Sequence, residues 1–325
     1  MEYVEDVLIG RVSVPIFKVK WDGDIRVLEH KARENSSEIL NYAAKYDDGT
    51  VTVENILADP VFNEYHAQDG TIYTREQIRQ RMEKAAQGRI SPTVHEFRAF
   101  GQFSTAIYRP TRQEIHDQIL KKVFEGWENK VNKHPTCIVL GGRTASGKSK
   151  FNGVVYEEDT YLVLDPDRIK EMLPEYPGWN HDVHSEGTDI IEDIIQLAVE
   201  RKVNVVLDGT MNGLYDLERR MQYFSAAGYR MEAHYMFVPR QVAAKRALMR
   251  FLDTPNGRYV PPEVVLSMKN GERNFDIIKD YVDAWSFSDN NVSPQLPPKL
   301  VARKGNFVYR PKNPTWLDGP AIFRP

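Results

Sequence analysis

The chain has 325 residues, with 43 Lys and Arg against 46 Asp and Glu, a net charge of −3, 41% hydrophobic and 27% charged residues. That balance fits a soluble globular protein of one large or two modest domains, and it excludes a global basic field for nucleic acid or an anionic membrane. Cys137 is the only cysteine, which excludes an intrachain disulfide; no apolar run reaches the length of a membrane span. The opening Met1-Glu2-Tyr3-Val4-Glu5-Asp6 is acidic and lacks the basic start and apolar core of a signal peptide. A reducing cytoplasm is therefore the expected location.

Residues 1–110 read as a smaller α+β accessory region of unknown role. Val12, Val14, Ile16, Val19 and Trp21 predict one or two short strands. Helical patterns follow at 31–46 and 74–87, separated by the turns Asp47-Asp48-Gly49 and Asp69-Gly70. Arg75, Arg79, Arg81 and Lys84 read as a solvated helix face. A helix over 111–131 is expected next, with Thr111 and Glu114 as a capping box and Ile115, Ile119, Val123 and Trp127 as its apolar stripe.

An α/β alternation then runs to about 290. Strands are predicted at 137–141, 161–165, 203–208 and 231–238, and helices at 148–154, 188–201, 214–227, 240–252 and 262–285. Gly228 suits a helix end and Pro239 a helix start. Apolar strands alternating with amphipathic helices imply a parallel sheet flanked by helices, with ligands beyond the carboxyl ends of the strands. Residues 291–325 form a Pro-rich tail with one strand-like piece, Phe307-Val308-Tyr309, read as either a wrapping arm or an interaction tail.

The chemistry concentrates at those strand ends. Gly142-Arg143-Thr144-Ala145-Ser146-Gly147-Lys148-Ser149 fits the phosphate-binding loop G-x-x-x-x-G-K-[ST] and follows the apolar run 137–141. The two glycines permit the tight path, Lys148 reaches the outer phosphates, and the Ser149 hydroxyl is the expected Mg2+ ligand. ATP and Mg2+ are thus the expected cofactors. Asp165-Pro166-Asp167 follows the second strand; an isolated D-x-D is usually a cap or turn, but beside this loop it faces the γ-phosphate. Asp167 is the expected proton acceptor, and Asp165 orients the loop or binds a metal-bound water. Asp208-Gly209-Thr210 ends the third strand as a second acidic element, with Glu192 one helix earlier. Arg250 closes a helix and Arg258 follows the turn Asn256-Gly257, the layout of a lid that brings arginines onto a transferring phosphate.

This ordered set resembles the zeta-toxin family of P-loop kinases. The resemblance covers roughly 135–285 and rests on 141–149, Leu164-Asp165-Pro166-Asp167-Arg168, Asp208-Gly209-Thr210, Gly228-Tyr229, and Arg250 with Arg258-Tyr259-Val260-Pro261-Pro262. The family usually has Glu-Gly-Thr where this chain has Asp208-Gly209-Thr210. The resemblance implies a P-loop kinase fold, Asp167 as catalytic base, Arg250 and Arg258 on ATP phosphates, and Glu192 on a sugar substrate. Asp165, Asp208 and Thr210 join Glu192 as expected substrate-side residues. It also implies transfer of the γ-phosphoryl group to a hydroxyl of a nucleotide-linked sugar resembling UDP-N-acetylglucosamine. An antitoxin in such systems covers the ATP site, so an antitoxin-like or assembly partner is expected too, or residues 1–110 acting as such a shield. Two alternatives stay open: a kinase of nucleic-acid ends or modified nucleotides, which the near-neutral charge disfavours, and an assembly protein carrying a nucleotide-binding domain.

Overall fold

The computed structural model describes residues 2–9, 12–18, 37–47, 49–87, 92–127, 130–176, 182–253 and 258–323. Val19, Trp21, the first part of the helix expected at 31–46, Asp48 and the turn Asn256-Gly257 lie outside them. The chain opens on an antiparallel hairpin of β1 (Glu2–Ile9) and β2 (Val12–Lys18). The first of these strands precedes residues 12–21, the stretch in which the sequence predicts strands.

The accessory region continues with α1 (Glu38–Ala44), α2 (Val53–Leu57), the short pair β3 (Glu64–His66) and β4 (Ile72–Thr74), and α3 (Arg75–Ala86). Ser37 caps α1, and reciprocal capping boxes of Thr52 with Asn55 and Thr74 with Gln77 start α2 and α3. Then come α4 (Thr93–Phe97), the pair β5 (Arg98–Phe100) and β6 (Ile107–Tyr108), and α5 (Pro110–Val123). α5 starts on Pro110 at its first turn with Arg109 as cap residue, so the predicted Thr111–Glu114 box is not used. It also ends at Val123, before Trp127, which is nonetheless buried with Ile119 in the core.

The main sheet has six strands in the order β12-β11-β10-β7-β9-β8. These are β7 (Thr136–Gly141), β8 (Leu162–Leu164), β9 (Val205–Asp208), β10 (Arg230–Phe237), β11 (Ala284–Asp289) and β12 (Lys299–Lys304). All pair in parallel except β12, which runs antiparallel to β11. The helices are α6 (Pro166–Lys170), α7 (His184–Glu200), α8 (Leu214–Ala226), α9 (Arg240–Leu252), α10 (Pro262–Ser267) and α11 (Gly271–Ile278). α7, α8 and α11 pack on one face of the sheet, while Phe151, Tyr156, Tyr161, Phe307 and Leu317 cover the other. β7 is buried along its whole length, as a central strand covered on both faces must be. Cys137 sits in it fully buried, and that burial pushes its thiol well above the usual range.

Three expectations fail here. The helix predicted over 262–285 is two short helices followed by β11. That strand hides in the sequence because Ser286 and Ser288 interrupt its apolar run. Both are buried and hydrogen-bonded, to His234 Nδ1 at 2.8 Å and from Trp316 Nε1 at 3.0 Å. The tail supplies β12, at Lys299–Lys304, and the strand-like 307–309 is not a strand. Phe307 instead seals the sheet face, Val308 N–H donates to Glu232 at 2.7 Å and Tyr309 Oη to Glu157 at 2.6 Å. Finally, the helix predicted at 148–154 is a single 3₁₀ turn, Lys148–Phe151. No helix among the described residues is long and apolar enough to cross a membrane.

Candidate active site

The loop after β7 turns back on itself through positive φ at Gly142 (142°), Ala145 (61°) and Gly147 (90°). A Cβ on Gly142 would stand 2.6 Å from the Met236 carbonyl oxygen, and one on Gly147 2.3 Å from Asn290 Nδ2, so both positions demand glycine. Lys148 Nζ folds over the loop, donating to the Gly142 carbonyl at 3.0 Å and lying 3.7 Å from Asp208 Oδ1. Ser149 is exposed at the loop's end and Thr144 is buried within it. Ser146 Oγ is buried and has no hydrogen-bond partner among the described residues. Because only one 3₁₀ turn follows, the field on the cradle must come from loop amides and side-chain cations, not from an extended helix dipole.

Arg143 contributes only backbone to this cradle. Its guanidinium is buried, forked onto Glu272 of α11 (Nη2 at 2.9 Å) and 3.0 Å from Asp47, with Nε and Nη1 donating to the carbonyls of Met268 (2.9 Å) and Val238 (3.0 Å). The loop is anchored by its own arginine.

The carboxylates stand at the neighbouring strand ends. Asp165 caps α6, its Oδ1 accepting from Asp167 N–H at 2.9 Å. That short helix aims Asp167 at two cations: Lys170 Nζ lies 3.1 Å from Oδ1, and Arg258 Nη2 bonds Oδ2. Lys170 is 3% exposed, and burial pulls its ammonium down to about 8, with Asp165 opposing. Burial likewise lifts Asp208 above the usual carboxylate range against the pull of Lys148. Arg258 Nε has no hydrogen-bond partner among the described residues, and burial pulls Arg250, at the end of α9, below the usual guanidinium range, with Tyr176 and Asp165 opposing.

The fold thus gathers Lys148, Asp165, Asp167, Asp208, Arg250 and Arg258 around one loop. Glu192 is placed differently. It is buried, and both its oxygens are engaged by α8, by Arg219 Nη1 at 2.8 Å and Arg220 Nε at 2.8 Å. Thr210 Oγ1 accepts from Asn212 N–H at 3.3 Å in the turn after β9. Three residues that sequence reasoning missed support the loop and the carboxylates. Asn290, just past β11, donates Nδ2 to the Ser146 carbonyl (2.8 Å) and accepts from Lys150 (3.0 Å). No signal marked it, since the strand before it was itself missed. Asp47 lies in a segment with no motif. Lys170, three residues after Asp167 on a helix, could have been found from that spacing.

A polyphosphate suits these residues: two glycines admit close backbone approach, an orphaned buried hydroxyl faces the loop interior, and an arginine N–H is uncommitted. Among the described residues no group of three or more His, Cys, Asp or Glu could hold a metal by itself. A magnesium ion here would take much of its coordination from phosphate oxygens.

The chain is 26% identical over 131 residues to "Toxin zeta" of Enterococcus hirae and equally to that of Streptococcus pyogenes, a stretch covering 37% of this chain and 45% of each toxin. It therefore spans less than half the length of these curated relatives. The solved complex AvrRxo1-ORF1:-ORF2 with ATP has the same fold, with a TM-score of 0.51 at 15% identity, over 66% of this chain and 77% of that one. The zeta toxin family model matches residues 120–287, more than half of the sequence and a span that includes Lys148, Asp165, Asp167, Asp208, Arg250 and Arg258, and the chain belongs to that family.

Proposed function

We propose that the protein is an ATP-dependent kinase that transfers the γ-phosphoryl group to a hydroxyl of a small nucleotide-linked sugar resembling UDP-N-acetylglucosamine. The observation that carries this reading is the meeting of Lys148, Asp208, Asp167 and Arg258 at the ends of three adjacent parallel strands. In this reading the amides of 142–149 and Lys148 hold the triphosphate. Ser149 would hold magnesium, which neutralises charge on the phosphate oxygens. The acceptor oxygen bonds to the γ-phosphorus as the bond to the β–γ bridging oxygen breaks, ADP leaves, and the hydroxyl proton passes to Asp167.

An aspartate clasped by two cations is a weak base. The reading therefore includes a movement: the triphosphate draws Arg258 off Asp167, and Arg250 with Arg258 then stabilises the charge on the transferring group. Lys170 remains to orient the carboxylate. Asp165, Asp208 and Thr210 would line the acceptor side, whereas Glu192 could take part only by giving up Arg219 or Arg220. The named toxins among its relatives, and the two-component complex that shares its fold, support a protein partner that restrains the activity.

The test is incubation of the protein with labelled ATP, magnesium and a metabolite extract. Wild type should label a small acceptor; Asp167→Asn should not, while still binding ATP. Full transfer by Asp167→Asn would remove the assigned base.

A further inference from the structure

Residues 51–86 do not sit apart from the kinase fold. Ile56, Leu57, Phe62, Tyr65, Ile78 and Met82 form one buried cluster with α9, from Ala243 to Leu252, and with Tyr259, Val260 and Val265. Polar contacts fasten the same helix along its length. Lys245 meets Asp59 at 2.5 Å, Tyr65 Oη donates to Asp253 at 2.8 Å, and Arg81 Nη2 donates to the Phe251 carbonyl at 3.1 Å. α9 is the helix whose last turn carries Arg250.

At the other end of α9 stands Asp47. Its Oδ1 accepts from Arg240 N–H, the first of the helix, at 2.8 Å. Its Oδ2 accepts from Arg240 Nε at 2.8 Å and from Arg143 Nη2 at 3.0 Å. One carboxylate from outside the family match therefore ties the phosphate loop to the start of the helix that presents a lid arginine. Asp47 is 14% exposed and Arg143 2%, so water competes weakly for these bonds.

We infer that Asp47 is a positioning residue for triphosphate binding, setting the phosphate loop through Arg143 and the arginine helix through Arg240, so that the accessory segment is a working part of the nucleotide site. This rests on the ATP-site reading given above. It also opposes the idea that residues 1–110 shield the site: a segment that braces the cradle and the lid helix aids binding, and its loss weakens it.

The experiment measures Mg-ATP affinity by calorimetry, and melting temperature, on the full chain. Asp47→Asn should weaken Mg-ATP about tenfold, since small misplacement of pre-organised groups is costly. Lys245→Met breaks the Asp59 contact midway along the same helix; it should lower the melting temperature yet hold affinity within about twofold. Arg143→Lys keeps the charge but loses the fork, and should match Asp47→Asn, with the double variant no weaker than either single one. If Asp47→Asn does not fold, Arg143→Lys decides. Wild-type affinity in whichever variant decides overturns the inference, as does an equal loss in Lys245→Met. Wild-type protein that does not bind Mg-ATP overturns the site reading itself.

Discussion

Two charge-rich regions of this molecule use the same residue types for opposite ends. At the strand ends, Lys148 lies 3.7 Å from Asp208, Arg258 keeps an N–H without a partner among the described residues, and Ser149 faces solvent. On the flank of α7, residues 92–116 press a second set of charges into the protein. Arg112 forks onto Glu175 (2.6 and 2.8 Å) and Glu186 (2.5 and 2.9 Å), and His116 adds a 2.7 Å contact to Glu186. Asp189 takes Arg98 and Tyr108 at 2.6 Å and the Phe103 N–H at 2.7 Å. The flank cluster holds a helix in place; the strand-end cluster has capacity left for a ligand. The difference lies in exposure, which residue identity alone does not reveal: the side chains of Glu186 and Asp189 are 0% and 3% exposed, those of Asp167 and Asp208 21%.

The sharpest way to break the comparison is to neutralise one charge in each region. Lys148→Ala should lower phosphoryl transfer by about a thousandfold, the scale of losing a main electrostatic group, with a melting temperature within a few degrees of wild type. Arg112→Met should do the reverse. It leaves Glu186, which is fully buried, without its principal cation, at a cost of about 3 kcal/mol. Chemical denaturation should show that loss, while Mg-ATP affinity of the folded fraction stays near wild type. A strongly destabilised Lys148→Ala, or a stable Arg112→Met, would erase the distinction.

The two regions also differ in how far they could be read from sequence. The loop, the D-x-D pair, Asp208 and the two arginines were legible as candidates because the phosphate-loop pattern fixes residue types at set spacings and the others follow predicted strand or helix ends. The central strands were legible because burial on both faces demands unbroken apolar runs. The flank cluster was not legible: Arg112 meets Glu186, which lies 74 positions further along the chain. Strand β11 escaped because buried serines, hydrogen-bonded to His234 of β10 and from Trp316 of the tail, look like surface residues in a sequence. Glu192 shows the limit of spacing arguments, since it falls at the expected position yet is held by Arg219 and Arg220.

A pH experiment probes the flank more finely. Glu186 and Asp193 are both acids on α7 with opposite shifts. Burial would raise Glu186, but hydrogen bonds from His116 and Arg112 outweigh it and hold the carboxyl down to about 2. Its stabilisation is present above the ordinary glutamate range and is lost as pH falls toward 2. Asp193 is raised to about 7 by burial, with Asp189, Glu192 and Asp117 adding repulsion. The folded state then binds the proton more tightly than the unfolded one, so stability is lost as pH rises from about 4 to 7. Asp193→Asn should match wild type near pH 4 and exceed it by on the order of 2 kcal/mol at pH 8. Parallel stability curves for the two proteins between pH 4 and 8 would contradict this.

The smallest expected effects fall within the accessory segment, on the helix whose cations were read as one solvated face. Arg79 fits that reading: it pairs with Glu54 at 2.6 Å, but the side chains are 37% and 72% exposed. Arg81, two residues on, does not. Its guanidinium lies 5.0 Å from the Tyr73 ring centroid and 4.7 Å from that of Phe251, and it donates to the Phe251 carbonyl on α9. Cation–π contact and a desolvated hydrogen bond each contribute about 1 kcal/mol, whereas an exposed ion pair contributes a few tenths. Arg81→Ala should therefore cost about 1–2 kcal/mol in denaturant titrations and Arg79→Ala under about 0.5 kcal/mol. Equal costs would mean that α3 meets α9 only through its apolar side chains, and that the polar fastening of the brace adds nothing measurable.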